Sequence, residues 1–227
     1  MLERPLHRTK QEMAYEALRN SIMRCEFQPG DRLIIDDISR QLGVSHIPVR
    51  EALHQLQSEG LVINVPHSGA TVAPISPTDV SEVFALMEGL ERIALRFAAN
   101  MMTAEDMQQL NAAVAEMDDA VASGDGERWG VLNSAFHRDI ARIANMRTLR
   151  DFTDRTLDQW ERVRRYYNIL SGRLGRAQEQ HHHILQALET RDMDRLEHLS
   201  TIHNREALDA YLAENAAGSS KGRWGSS

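Results

Sequence analysis

One change of rhythm constrains this chain more than any other feature. Before Pro74 and Pro77 the apolar residues fall in short bursts separated by Gly30, Gly43, Gly60 and Gly69. From Thr78 to about Asn215 they recur three and four residues apart without a stretch of alternation. Glycine and proline at close intervals cut a chain into brief elements joined by turns, whereas a sustained 3.6-residue period demands helices that bury one face. The expectation is a mainly α protein: a small N-terminal domain over 1–75, an all-α antiparallel helical bundle over 76–215, and a flexible tail over 216–227.

The bursts have an order. Met13, Ala14, Ala17, Leu18 and Ile22 mark a helix from Thr9 to about Cys25, closed by Gln28-Pro29-Gly30. Ile34, Ile38 and Leu42 mark a second, short helix that Asp36 or Asp37 is expected to cap and Gly43 to stop. Ser45 then caps a third helix to Glu59, with Val49, Ala52, Leu53 and Leu56 on its inner side. LVINV, PHSG and ATVAP read as a two-stranded hairpin with Gly69 at a positive-φ position. Helix, helix, tight turn, helix, hairpin is the order of a winged helix-turn-helix. In the second domain helices are expected near 78–100, 104–122, 126–143, 147–170, 173–190 and 192–214, broken at Thr103, Gly124, Asn145, Gly172 and Arg191-Asp192.

Charge narrows the partners. The chain carries 26 Lys and Arg against 33 Asp and Glu, a formal net charge of −7, so it does not coat nucleic acid by bulk electrostatics. A DNA-binding face has to be a local patch. No run of eighteen apolar residues exists, the N-terminus lacks a signal-peptide pattern, and the lone Cys25 has no partner for a disulfide or a zinc knuckle. A cytoplasmic protein without a membrane partner is expected.

On the third helix, burying Val49, Ala52, Leu53 and Leu56 turns Ile47, Arg50, Glu51, His54 and Ser58 outward, with His46 at the leading end. An arginine can grip guanine with two hydrogen bonds, a histidine can donate to base or phosphate, and an isoleucine can meet a thymine methyl in the major groove. A solvated helix in a protein-binding winged helix is the plain alternative, and His67 and Ser68 in the wing serve equally as turn residues. The stretch EFQPGDRLIIDDISRQLGVSHIPVREALHQLQSEGLV resembles the N-terminal domain of the GntR family of bacterial transcription regulators. The resemblance implies that Ser45, His46, Ile47 and Arg50 contact the major groove and that His67 to Gly69 approach the minor groove. His46 and Ile47 stand where Arg and Thr are usual, which implies a different operator sequence.

Polar residues break the apolar stripes of the bundle. Asn133 and His137 lie four apart beside Trp129, Leu132, Phe136, Ile140 and Ile143. In the triplet at 181–183, Ile184, Leu185 and Leu188 define the inner side, which places His181 inward and His182 and His183 roughly 100° and 200° around the helix. His203 falls on the stripe of Leu196, Leu199, Ala207 and Ala210, with His198 opposite. The other histidines, His7 and His54 included, read as surface residues. Three inward imidazoles and an amide from three helices suit a divalent metal, zinc or nickel first; a hydrogen-bonded core and a direct ligand pocket are the alternatives. No Asp or Glu is evident beside the three histidines, so a general base for a hydrolytic enzyme is lacking. On the helix near 147–170 the stripe Leu149, Phe152, Thr156, Trp160, Val163, Tyr167 and Leu170 is bordered by Arg164, either an anion partner or a stem packed along the core with its head in water.

EVFALMEGLERIALRFAA, NSAFHRDIARIANMRTL, EQHHHILQALETRD and STIHNREAL resemble the effector-binding FCD domain of the FadR subfamily of GntR regulators. This implies a metal held by Asn133, His137, His181 and His203 next to a carboxylate-bearing effector, a small organic acid or sugar acid. Asn133 stands where Asp is frequent and brings no charge. Met87 stands where relatives often carry a pocket arginine, and Arg164, Trp160, Tyr167 and Met87 itself are the expected effector contacts. The resemblance and the residues together predict a homodimeric repressor bound to a double-stranded, inverted-repeat operator. A metal-responsive sensor and, further off, a helical metalloenzyme are the rivals.

Overall fold

The computed structural model describes residues 9–169 and 172–219, with side-chain detail as far as residue 213. Its backbone contacts divide the chain into two compact units, Met1–Ser76 and Pro77–Ser227.

The first unit contains α1 (Lys10–Met23), α2 (Ile35–Leu42), α3 (His46–Ser58), β1 (Val62–Val65) and β2 (Gly69–Val72). Thr9 and Glu12 close α1 with a reciprocal capping box, each side chain meeting the other's backbone N–H. Gly43 ends α2 at φ 65°, where a side chain would be strained. The expected cap by Asp36 or Asp37 is not formed: Ile34 is the N-cap residue, without a side-chain hydrogen bond. Both acids instead sit in the first turn, where they complement the positive end of the helix. Ser45 occupies the N-cap of α3 but also makes no side-chain capping bond. Ala14, Leu18, Ile22, Leu33, Ile38, Val49, Ala52, Leu53, Leu56, Leu61, Val62 and Val72 form one core, so the helices and hairpin fold around a shared apolar centre. Each fully buried leucine or isoleucine contributes about 1.5–3 kcal/mol to it.

The hairpin pairs Val62 with Val72 through Val65 with Gly69. A third extended segment, which the sequence suggested only as a turn, lies on the other side of β2. Leu33 N–H donates to Ala70 O (2.8 Å), and Gly30 and Val72 are joined by a 3.0 Å bond from Gly30 N–H. Arg32 bridges Thr71. β2 is thus held along both of its edges.

The second unit contains α4 (Pro77–Met101), α5 (Ala104–Ala122), α6 (Gly126–Ile143), α7 (Arg147–Tyr167), α8 (Leu174–Thr190) and α9 (Met193–Ser219). Asn145 and Arg191 take φ of 54° and 53° at breaks the sequence marked. Ala94, Leu95, Leu110, Met117, Trp129, Phe136, Ile140, Ile184, Leu188 and Leu196 belong to its core. Two ends differ from expectation. α7 stops at Tyr167 because Asn168, a residue that tolerates the left-handed region, caps it at φ 51°; Leu170 lies outside the described residues. α9 runs to Ser219, four residues into the expected tail, consistent with the high helix propensity of Ala213, Ala216 and Ala217. No helix among the described residues is long and apolar enough to cross a membrane.

Candidate functional site

In the first unit, α3 presents its polar face outward. Val49, Ala52, Leu53 and Leu56 are buried, while His46, Ile47, Arg50, Glu51, His54 and Ser58 are exposed, Ile47 by 68%. His46 Nε2 stands 3.2 Å from Asp36 Oδ1, which ties the leading end of α3 to the start of α2. His67 at the hairpin tip is exposed with φ 66°, Ser68 is half-buried and donates its N–H to Val65 O (3.0 Å), and Gly69 has φ 78°. The positive φ of His67 has no signal in the sequence, since histidine takes that conformation only where the turn requires it. Arg50, His54, Asn64 and Gly69 line one recess between α3 and the hairpin, so the helix and wing residues share a face. Asn64 is a polar member of that face that the sequence did not single out.

In the second unit, His137 on α6, His181 on α8 and His203 on α9 converge. All three are buried, and a ring nitrogen from each lies within 4.8 Å of the others. His181 Nε2 and His137 Nε2 are 3.5 Å apart. The neighbouring His182 and His183 are exposed, and His182 pairs with Asp118 on the surface at 2.8 Å. His198 is exposed as well. Asn133 is buried, its Oδ1 has no hydrogen-bond partner, and it lines a recess together with His203.

A carboxylate does stand beside this cluster, contrary to expectation. Glu91 on α4 places Oε1 3.1 Å from His137 Nδ1, and its Oε2 accepts hydrogen bonds from Ser200 Oγ (3.2 Å) and Asn204 Nδ2. On the buried face of α4, Glu91 falls between Phe84 and Leu95, seven residues after one and four before the other. An acid within an apolar stripe was the available signal. Burial pushes the Glu91 carboxyl up, yet the imidazoles of His137 and His203 and the Asn204 amide outweigh it and hold it at about 2. The carboxylate stands at the Nδ1 side of His137, and the Nε2 side of that ring faces His181. His203 is oriented the same way by Gln180, whose Oε1 is 2.9 Å from His203 Nδ1. Burial lowers His203 to about 4 and His181 well below the ordinary range, with the neighbouring imidazoles adding to the effect on His181. Trp129 and Phe136 pack edge-on against His181, with ring centroids 5.5 and 5.1 Å away. The imidazoles of His181 and His203, kept neutral by burial, and that of His137 are directed at one another inside an apolar collar, a set of ring nitrogens that could ligate a cation. Two nitrogens ligating one zinc ion at about 2.0–2.1 Å would lie about 3.4 Å apart, close to the separation of His137 and His181.

The recess beside His203 spans about 470 Å³, counted to its open mouth, and is lined by Met87, Trp129, Trp160, Arg173 and Asn204 among others. Met87 and Trp160 are thus where an effector contact requires. Arg164 is not. Its guanidinium is buried, bonded to Glu161 Oε2 at 2.8 Å and Glu127 Oε2 at 3.1 Å. It packs so closely over Gly130 that a Cβ there would overlap it. Neither alternative drawn from the sequence describes this internally neutralised cation. The helical wheel fails here because residues 160–164 are buried all round, whereas Phe152, placed on the inner stripe, is 56% exposed. Tyr167 is not among the recess residues; its ring packs on Tyr166 and Tyr211, and burial and the Tyr211 hydroxyl push its own hydroxyl up. The cation the sequence missed is Arg173, at the N-cap of α8, bonded to Glu206.

Comparison with known proteins accounts for both units. Residues 82–218 match the FCD domain, and residues 10–72 match the bacterial regulatory proteins of the gntR family. The chain is 28% identical over 199 residues to the HTH-type transcriptional repressor RspR of Escherichia coli K12, covering 88% of this chain and 87% of that one. It is 34% identical over 134 residues to an HTH-type transcriptional regulator of Agrobacterium vitis, covering 58% and 78%. The solved structure of E. coli McbR/YncC shares the fold, with a TM-score of 0.78 at 23% identity over 92% of this chain and all of that one.

Proposed function

The chain belongs to the gntR family of bacterial regulatory proteins, in the branch that carries an FCD domain, and on that footing we propose that it acts as a ligand-responsive repressor. Proteins of this family are DNA-binding transcription regulators rather than enzymes. In this reading Ser45, His46, Ile47, Arg50 and His54 enter the major groove while His67, Ser68 and Gly69 approach the minor groove. Two such heads on a homodimer meet the two halves of an inverted repeat. An apolar seam supports the dimer: Leu86, Ile93, Phe97 and Met101, seven, four and four residues apart on α4, are each at least 42% exposed.

The observation that carries the reading is the convergence of His137, His181 and His203 beside a recess in the unit remote in sequence from α3. These three imidazoles, with Asn133 as a neutral oxygen donor, would hold a divalent ion, zinc or nickel by ligand type. Such an ion, when bound, supplies a positive centre for the carboxylate of a small organic or sugar acid lying in the recess. Glu91 and Gln180 orient the histidines, and Met87 and Trp160 line the recess; Arg164 takes no part. Effector binding then lowers DNA affinity by favouring one of two states of the dimer.

The test is to recover and sequence the genomic fragments that the full-length protein retains, and then to add zinc and a panel of carboxylic acids to the retained complex. Retention of a palindromic site by a particle of twice the chain mass, released by an acid only when metal is present, is the expected result. Release by zinc alone would make the metal itself the signal. Retention without sequence preference would overturn the reading.

A further inference from the structure

The first turn of α2 carries two acids that face different ways. Asp37 stays on its own helix, its Oδ1 3.1 Å from Nη1 of Arg40. Asp36 crosses to α3, where its Oδ1 lies 3.2 Å from His46 Nε2. Neither acid caps α2, whose N-cap residue is Ile34. His46 is the first residue of α3, and with Ile47 and Arg50 it is exposed. An acid on the first helix of the helix-turn-helix thus holds the leading side chain of the second.

Stability does not account for the pair. Asp36 and His46 are both exposed, and exposed ion pairs contribute little to a fold. Overall affinity does not account for it either, because a negative charge beside the reading helix repels the phosphate backbone. Aim does. An imidazole has two polar atoms and is rigid between them. A carboxylate at Nε2 leaves Nδ1 as the nitrogen that can meet a base, and sets the direction in which it points. A side chain held before DNA arrives also forgoes the ordering cost that a free one meets on binding. An acid that opposes binding in general yet positions one contact favours the correct sequence over the rest, so selectivity rises without affinity.

The geometry points to Asp36 as a positioning residue for base readout: through His46 it fixes the preference at one base pair in each half of the operator. This rests on the assignment of His46 to the major groove made above. Asp37, with the same charge in the same turn but directed at Arg40, has no such role.

The measurement is the affinity of the full-length protein for every single-base variant of the operator it retains. His46→Ala should flatten the preference at one position of each half-site. Asp36→Ala should flatten that same position by about fivefold, the upper range for an exposed ion pair, and leave the others within about twofold. Asp37→Ala should flatten none. Added to His46→Ala, Asp36→Ala should cause no further loss, and Asp36→Asn, which keeps an acceptor in place, should recover part of the preference. Asp36→Ala that shifts affinity for all variants equally overturns the inference, because the acid then acts by charge alone. Flattening that persists undiminished in the His46→Ala background overturns it too, making Asp36 a reader in its own right. A profile sensitive to His46→Ala but not to Asp36→Ala overturns the inference alone. A profile untouched by His46→Ala overturns the groove assignment of His46 and the inference with it.

Discussion

The two units place their polar chemistry on opposite sides of their surfaces. Among the described residues, Met1–Ser76 buries only Ser39 and Thr71 as polar side chains, whereas the helical unit buries fourteen, from Asn133 to Asn204. In the first unit an apolar core is a passive frame, and His46, Ile47, Arg50 and His54 project from it into water. In the second unit the candidate site residues are themselves core. Each buried polar group has to be oriented by a partner on another helix, as Glu91 on α4 orients His137 on α6 and Gln180 on α8 orients His203 on α9. Chemistry displayed outside can change without disturbing the fold, while chemistry held inside is coupled to it.

Substitutions can break that contrast. The largest effect is expected for His181→Ala, which should lower zinc affinity by more than about 100-fold in a chelator competition, against no more than about twofold for the exposed His182→Ala. Equal losses would erase the distinction between the inward and outward members of the triplet. Glu91→Gln keeps the shape but loses the charge beside His137 Nδ1, and zinc affinity should fall about 10–100-fold. An unchanged affinity would make Glu91 a bystander. Arg50→Ala should reduce operator affinity by about 1–3 kcal/mol while the melting temperature stays within about 2 °C; a larger fall in melting temperature would show that the outer face of α3 is not independent of its core.

The smallest expected effect is a pH dependence confined to the helical unit. Burial keeps His181 and His203 neutral in the fold, His203 down to about 4, whereas unfolded imidazoles take up protons near pH 6.5. The unfolded chain then binds more protons between those values, so the metal-free protein should lose stability as pH falls from about 6.5 to 4, on the order of 5 °C in melting temperature. Glu91 extends the loss further, because its stabilisation is present above the ordinary carboxylate value of 4.5 and disappears as pH falls toward about 2. A calorimetric profile flat from pH 7 to 4 would mean that the imidazoles are not held neutral.

The same contrast explains what could be read in the sequence. An outward residue is visible from its own helix: burying Val49, Ala52, Leu53 and Leu56 turns Arg50 outward whatever else the chain does. His181 was legible for the same reason, because Ile184, Leu185 and Leu188 fix the inner side of α8 and leave His182 and His183 outside. Glu91 showed only as an acid within an apolar stripe and Arg173 not at all, since their roles exist between helices and no periodicity within one helix names a partner on another. Arg164 shows the limit of the wheel. Where residues 160–164 are all buried, a helix has no outer side to exclude, and whether a charge meets water or a carboxylate depends on neighbours such as Glu127, thirty-seven residues away. The edge pairing of Leu33 with Ala70 was hidden in a similar way, because a glycine- and proline-rich stretch reads as a turn until a strand lies beside it.

That pairing has an evolutionary consequence. With β2 bonded to β1 on one side and to residues 30–33 on the other, the strands of the wing hold their register without help from residues 66–68 at the tip. Pro66 and Ser68 can therefore vary in side chain while the scaffold beneath them stays put, and His67, held at φ 66°, exchanges most easily with glycine, asparagine or aspartate. A lineage descended from this protein could change the chemistry displayed at its wing tip by drift at a few positions, long before anything in its core had to change.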